Sequence, residues 1–299
     1  MLDQFTGWNV VRLLRRSAPS PKRSDGGRSG VERVIANRPT WVKKQISDLE
    51  ARLLADEIRA SGATRALEIG CASGFSGAVI YAQLAEGNPD EYEIRAFDRS
   101  TRCYFDIFRK TGEAFWELHG TSARGSFTTG VTSADIGKPD WRFSPSGALA
   151  DFAFIDASHR APWPALDLLS LARFLKEDAV IALHDIDLVF RKKFRDRNGP
   201  RDLFRCWQGE KWFYEAAPNI GFLRRGSDAT LFKSLAIALM CDWDEEIRAD
   251  LLRQYHCIAG SYGEKVSVIL ESVLSGESQG RAPNRFVRSG APAAVFLAT

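Results

Sequence analysis

Ala66-Leu67-Glu68-Ile69-Gly70-Cys71-Ala72-Ser73-Gly74-Phe75-Ser76-Gly77 is the stretch on which the fold turns. A short apolar run broken by one acid ends at Gly70, and a helical pattern starts beyond Gly74. Glycines at these two positions let the backbone turn sharply and come close to a bound molecule. The helix that begins there aims its unpaired N–H groups and positive end at the same spot. Strand, glycine turn and helix together read as the opening unit of an α/β sheet with a ligand at its mouth.

The pattern repeats outward from this stretch. Residues 65–69 read as a strand, 76–85 as a helix, 92–97 as a strand and 102–110 as a helix. Strands at 127–132, 152–155 and 179–183 follow, with a helix at 163–175 before the last. Such alternation predicts a parallel sheet with helices on both faces. Residues 212–214 and 220–223 read as two short strands closing the sheet with a hairpin-like edge. Upstream, Val42, Ile46, Leu49, Leu53, Leu54 and Ile58 recur at helical spacing over 40–61 and stop at Gly62, a natural helix-ending glycine.

Both ends differ from this core. Phe5, Trp8, Val10, Val11, Leu13 and Leu14 with Arg12, Arg15 and Arg16 form a short amphipathic pattern read as a docking helix, with a membrane-seeking or targeting element as the alternative. Residues 17–30 are rich in Ser, Pro, Gly, Lys and Arg and read as a flexible linker. Helical patterns at 231–240, 245–255 and 265–274 precede a Gly, Ser, Pro and Arg-rich tail. The expected organisation is an N-terminal segment (1–39), a ligand-binding domain (40–226), a C-terminal helical appendage (227–276) and a loose tail (277–299).

Composition narrows the function. With 44% hydrophobic and 26% charged residues in 299, the chain reads as soluble and globular. No apolar run approaches the roughly 20 residues that span a bilayer. Forty-one basic against 38 acidic side chains give a charge of only +3, too little to argue for a nucleic-acid binder by itself. The five cysteines are scattered without a CxxC pair, which points away from a disulfide framework or zinc site and towards a reducing, cytoplasmic setting.

The glycine spacing chooses among ligands. A nicotinamide-binding fold favours G-x-G-x-x-G, whereas here glycines fall at 70, 74 and 77 and position 72 is Ala. Asp98, at the end of the next strand, is placed to accept both hydroxyls of a ribose. The E-x-G-x-x-x-G arrangement of Glu68, Gly70 and Gly74 resembles the first motif of class I methyltransferases dependent on S-adenosylmethionine (SAM). That resemblance implies a Rossmann-like sheet and a SAM contact set of Glu68, Gly70, Cys71, Ala72, Ser73, Gly74, Asp98, Ser133, Asp135 and Asp156. Glu68 would hold the cationic, amino-acid end of the ligand, and Ser133 and Asp135 would lie where the family reads adenine.

Two further strand ends carry polar clusters, Ile155-Asp156-Ala157-Ser158-His159 and Ala182-Leu183-His184-Asp185. They resemble a group of these methyltransferases with "IDGDH" and "ALHD" at the same places, many of whose members modify small molecules and sugars. The likeness spans residues 49–223 and departs at Ala157, Ser158 and Glu177-Asp178. His159, His184 and Asp156 are the candidate catalytic residues, with His159 preferred as base because a neutral imidazole is available near neutral pH. Asp156 and Asp185 are alternatively ligands for Mg²⁺ or another hard cation, although Ile186 stands where metal-dependent relatives place a further ligand.

After the fifth strand, Arg191, Lys192, Lys193, Arg195, Arg197, Arg201 and Arg205 crowd together, with Trp207, Trp212 and Phe213 beyond. This reads either as a lid for an anionic or saccharide acceptor or as a solvated basic face over core aromatics. The expected activity is O-methylation of a small-molecule or saccharide acceptor, with homo-oligomerisation open. A nucleic-acid methyltransferase and a non-catalytic SAM-binding scaffold are the competing readings; no Asn/Asp-Pro-Pro-Tyr-like motif supports the former.

Overall fold

The structure, a computed structural model, describes residues 13–16, 29–43, 45–121, 123–136, 148–187 and 197–239. Its strands are β1 (Leu13–Arg16), β2 (Arg65–Ile69), β3 (Glu93–Asp98), β4 (Arg102–Cys103), β5 (Asp106–Lys110), β6 (Gly125–Thr129), β7 (Ala150–Ile155), β8 (Leu175–His184), β9 (Lys211–Tyr214) and β10 (Ala217–Arg224). Helices are α1 (Gly30–Ala36), α2 (Asp48–Ser61), α3 (Phe75–Gly87), α4 (Glu113–His119), α5 (Ser133–Ile136), α6 (Trp163–Leu171), α7 (Gly199–Cys206) and α8 (Asp228–Leu239).

Eight strands form one sheet in the order β1-β9-β10-β8-β7-β2-β3-β6. β6, β3, β2, β7 and β8 run parallel, and β10 turns back antiparallel beside β8. The parallel strands must be apolar on both faces, and β7 and β8 show how the alternation is used. Phe152, Phe154, Val180 and Ala182 face α2 and α3, whereas Ala153, Ile155, Ile181 and Leu183 face α6 and α7. This is the Rossmann-like α/β sheet expected, with helices on both faces.

From β2 the chain steps outward to β3 and β6, then returns to build β7 and β8 on the other side of β2. The crossover directions diverge between β2 and β7. In an open α/β sheet the crevice beyond the carboxyl ends at such a point is where ligands bind.

Several local readings change. Residues 102–110 form the antiparallel hairpin β4–β5, and the helix of this region is α4, which begins only after Gly112. Leu13–Arg16 is an edge strand parallel to β9, not part of a helix, because it completes a ladder with Lys211–Tyr214. The helix expected from residue 40 starts at Asp48, capped by Ser47, while Val42 and Ile46 are buried from the loop before it. α1, within the expected N-terminal segment, and α8, at the start of the expected appendage, both contribute buried residues to the two clusters: Val31, Val34 and Ile35 to one, Leu231, Leu235, Ala238 and Leu239 to the other. The readings made for residues 1–12, 17–28 and 240–299 lie outside the described residues. No helix among the described residues is long and apolar enough to cross a membrane.

Candidate active site

The turn after β2 is fixed by its backbone. Gly70 adopts φ +86°, and a Cβ there would lie 2.6 Å from the Cα of Ala157 and overlap the Asp156 carbonyl group. Only glycine lets the β2 turn pass this close to the end of β7. Gly74, at φ +84°, starts α3 and sits against Gly112 in the same way. Ala72, though not glycine, takes φ +40°, and its N–H donates to Asp98 Oδ2 at 2.9 Å. Asp98 Oδ1 accepts from Ser100 N at 2.8 Å. One carboxylate therefore joins the two turns.

A cavity of about 1190 Å³ opens over these turns. Of the expected SAM contacts, Gly70, Ala72, Asp98, Ser133 and Asp156 line it. Glu68, Cys71, Ser73 and Gly74 do not line it. Glu68 is fully buried behind the loop, where Ser76 Oγ donates to its Oε1 and Oε2 has no partner. Burial raises its pKa to about 8; the Ser76 hydrogen bond opposes this, and the charges of Asp156 and Asp98 reinforce it. Asp135 is also outside the lining: its Oδ2 accepts from both the N–H and the hydroxyl of Thr132, each at 2.9 Å. Its carboxylate thus closes its own turn.

At the other end of the cavity, the catalytic and metal candidates converge. His184, at the end of β8, is buried and directs Nδ1 to Asp156 Oδ1 at 3.1 Å. Its Nε2 lies 3.6 Å from Glu50 Oε1. Burial depresses the His184 pKa, but the charge and hydrogen bond of Asp156, with Glu50 and Asp185, outweigh this and hold it well above the usual histidine value. Conversely, burial raises Asp156, and His184 and His159 bring it below the usual carboxylate range. His159 Nε2 lies 3.3 Å from Asp156 Oδ1 and 3.1 Å from Asp185 Oδ2. Asp185 stands at φ +60°, an uncommon backbone state outside glycine, and accepts from Asn219 Nδ2 at 2.8 Å.

Glu50 was not a sequence candidate. Its Oε2 accepts from the Ser47 N–H at 2.6 Å while Ser47 Oγ accepts from the Glu50 N–H at 3.2 Å, so one carboxylate both caps α2 and faces His184. Burial raises its pKa, but hydrogen bonding and charge from His184 and the Ser47 contacts bring it down to about 2. The S-x-x-E spacing of Ser47 and Glu50 was the available signal for the cap; nothing in the sequence indicated the partner on β8. Asn219, Trp163 and Tyr104 also line the cavity and were not singled out for this site.

Arg197 lines the cavity, and Arg201 lies on α7. Arg191, Lys192, Lys193 and Arg195 fall outside the described residues. Trp207 and Trp212 do not offer faces to a ligand: both are fully buried, with indole N–H groups donated to Arg224 O at 3.1 Å and Glu57 Oε1 at 2.8 Å. Their size made them more useful as core filling between sheet and helices.

The cleft at the sheet mouth therefore brings together the Asp98 carboxylate and the histidine–carboxylate cluster of His159, His184, Asp156 and Asp185. Residues 67–186, less than half of the chain, match the family model described as a methyltransferase domain. That segment contains the glycine turn, Asp98 and both strand-end clusters. Among solved structures, the chain is similar to the O-methyltransferase TomG from Streptomyces achromogenes, in complex with SAM, at 18% identity over 60% of this chain and 82% of that one, with a TM-score of 0.46. It is similar to the S-adenosylhomocysteine (SAH)-bound methyltransferase PaMTH1 of Podospora anserina at 16% identity, 66% and 87% coverage and a TM-score of 0.48. A third, the O-methyltransferase from Bacillus cereus in complex with SAH, shows 16% identity, 66% and 91% coverage and a TM-score of 0.46. No curated protein matches the chain.

Proposed function

We propose that this chain is a SAM-dependent methyltransferase that methylates a hydroxyl oxygen of a small-molecule or saccharide acceptor, with His159 as the base. The observation that carries the reading is that Asp98 and the cluster of His159, Asp156 and Asp185 line one cavity. The residues fit SAM: Gly70 lets the β2 turn close against the end of β7, and Asp98, which lines the cavity, is a carboxylate acceptor for ribose hydroxyls. Ser133, Val131 and Trp163 offer an apolar and polar lining for a nucleobase, and the carboxylates of the same cavity favour the cationic sulfonium and amino group of SAM. When bound, SAM supplies a methyl group already activated by its sulfonium.

The chain's own residues then hold the acceptor oxygen in line and remove its proton. His159 Nε2 faces Asp156 and Asp185, which leaves its Nδ1 to take the acceptor's proton. The imidazolium that forms is stabilised by the same two carboxylates. His184, between Asp156 and Glu50, which hold its pKa up against burial, serves as a prop that fixes Asp156. At about 1190 Å³ the cavity exceeds the usual range of roughly 300–1000 Å³ for single-ligand sites, which leaves room for an acceptor beside the cofactor. Arg99, Arg102 and Arg197 on its lining favour an acceptor bearing phosphate or carboxylate.

Calorimetric titration with SAM, SAH and NAD, followed by a labelled-methyl screen of hydroxyl acceptors, tests this. SAH binding with label appearing in a hydroxyl product is expected. Binding of NAD in preference to SAH overturns the reading, and SAH binding without turnover across a broad panel favours a non-catalytic SAM-binding protein.

A second reading rests on a separate observation: ligand atoms of Asp156, His184 and Asp185 all lie within 4.8 Å of one another. Such an oxygen- and nitrogen-donor set suits Mg²⁺ or a similar cation, whose chemistry is to lower the pKa of an acceptor hydroxyl. Loss of activity in chelator, restored by Mg²⁺, supports it. Full turnover in excess chelator rejects it.

A further inference from the structure

The hairpin β4–β5 is not explained by the site. Five large hydrophobic side chains are exposed among the described residues, and three of them are on this hairpin: Tyr104 (78%), Ile107 (71%) and Phe108 (86%). Ile107 and Phe108 are consecutive in β5, in the stretch where the ribbon's register shifts between the Arg102–Lys110 and Cys103–Asp106 pairs. Both side chains stand in solvent, whereas Cys103 on β4 is buried. The hairpin pairs only with itself, in a two-stranded sheet separate from the main one. A ribbon of this size gains little stability in water from its own pairing, and its apolar tip is costly to leave hydrated.

Its surroundings carry the opposite kind of surface. Arg99, Arg102, Lys110 and Lys43 are exposed around it, with the Lys43 ammonium 6.0 Å from the Phe105 ring. Asp106, the one acid between Arg99 and Lys110, is only partly exposed and accepts the Phe108 N–H at 3.1 Å. Arg109 is matched by Glu113 at 2.8 Å and Glu117 at 3.5 Å, leaving the surrounding lysines and arginines to set the sign of the patch. The hairpin also adjoins the active-site mouth, since Arg102 and Tyr104 line the cavity.

We propose that this hairpin docks the enzyme on an anionic lipid bilayer, with Ile107 and Phe108 entering the interface and the surrounding cations meeting the headgroups. An apolar tip rimmed by arginine and lysine is matched by the boundary between acyl chains and negative headgroups, where apolar burial and electrostatic attraction act together. A protein partner of ordinary composition supplies no equivalent reason for neighbouring bare apolar side chains within a cationic rim. The active-site mouth is thereby held against the surface, where an acceptor carried by a lipid would be presented.

The test is flotation of the full chain with vesicles of phosphatidylcholine alone and of an equimolar mixture with phosphatidylglycerol. The wild type is expected to float with the anionic vesicles and not with the neutral ones. I107S/F108S and, separately, K43E/K110E are each expected to lower the bound fraction at least about tenfold, with unchanged melting temperature and SAH affinity. Because both variants keep the N-terminal segment, they isolate the hairpin from any contribution of that stretch. Failure of the wild type to bind either vesicle overturns the proposal, as does undiminished binding by I107S/F108S. A dimer in sedimentation velocity that F108S dissociates, without vesicle binding by the wild type, also overturns it and assigns the patch to a second copy of the chain.

Discussion

Replacing Gly70 with alanine separates the two physical demands made of the β2 turn. Both Gly70 and Gly62 hold left-handed backbone, φ +86° and φ +64°, so either alanine variant incurs a conformational cost of about 1–2 kcal/mol. At Gly62 nothing lies within 4 Å of the new Cβ, and the cost ends there. At Gly70 the Cβ must displace the backbone of Asp156 and Ala157, with Ala157 Cα only 2.6 Å away. Overpacking of this kind adds about 1–3 kcal/mol. G70A is therefore expected to be destabilised by about 2–5 kcal/mol and G62A by about 1–2 kcal/mol in urea unfolding followed by circular dichroism. Separation of the β2 turn from the end of β7 moves Ala72 and Asp156 apart, so SAH titration should show at least about tenfold weaker binding for G70A and none of this loss for G62A. If G70A proves no less stable than G62A and binds SAH equally well, the close-approach argument is wrong.

Asp98→Ala should weaken SAH binding by roughly one to two orders of magnitude in calorimetry, since hydrogen bonds to a charged group contribute about 1.5–3 kcal/mol and this carboxylate also ties Ala72 to Ser100. His159→Gln should lower kcat by about 10²–10⁴ while leaving SAH affinity intact, and a variant that instead raises only KM would refute its role as base. Glu68→Gln tests burial against pH. Wild-type Glu68 has its folded pKa raised from 4.5 to about 8, so the folded state holds a proton that the unfolded chain releases earlier, and stability is lost as pH rises across that interval. The amide that replaces the carboxyl in this variant does not titrate, so the variant's melting temperature relative to wild type should increase from pH 5 to pH 8.5; a constant difference would show that the carboxyl does not titrate as described.

Much of the fold was legible because its signals are local. Glycines at 70 and 74, the apolar runs of β2, β7 and β8 and the acid closing β3 each report on a few neighbouring residues. The hairpin at 102–110 was misread because its apolar residues are exposed, so their spacing followed no buried face. β1 was missed because an edge strand gains its identity from the ladder it joins, here with β9, nearly 200 residues away. The candidate histidines and carboxylates were visible at strand ends, but Glu50 lies far upstream and reaches His184 only because α2 packs against β8.

By itself, the order of amino acids determined a parallel α/β sheet, the glycine turn at the head of α3 and the identity of the groups at each strand end. Tertiary structure decided what those groups face: it sealed Glu68 behind the loop, spent Asp135 on Thr132 and enclosed His184 between two carboxylates from distant elements. Backbone preference and apolar periodicity act over a few residues and can be read along the chain, whereas charge state, burial and hydrogen-bond partnership depend on which segments the folded sheet brings within a few ångströms.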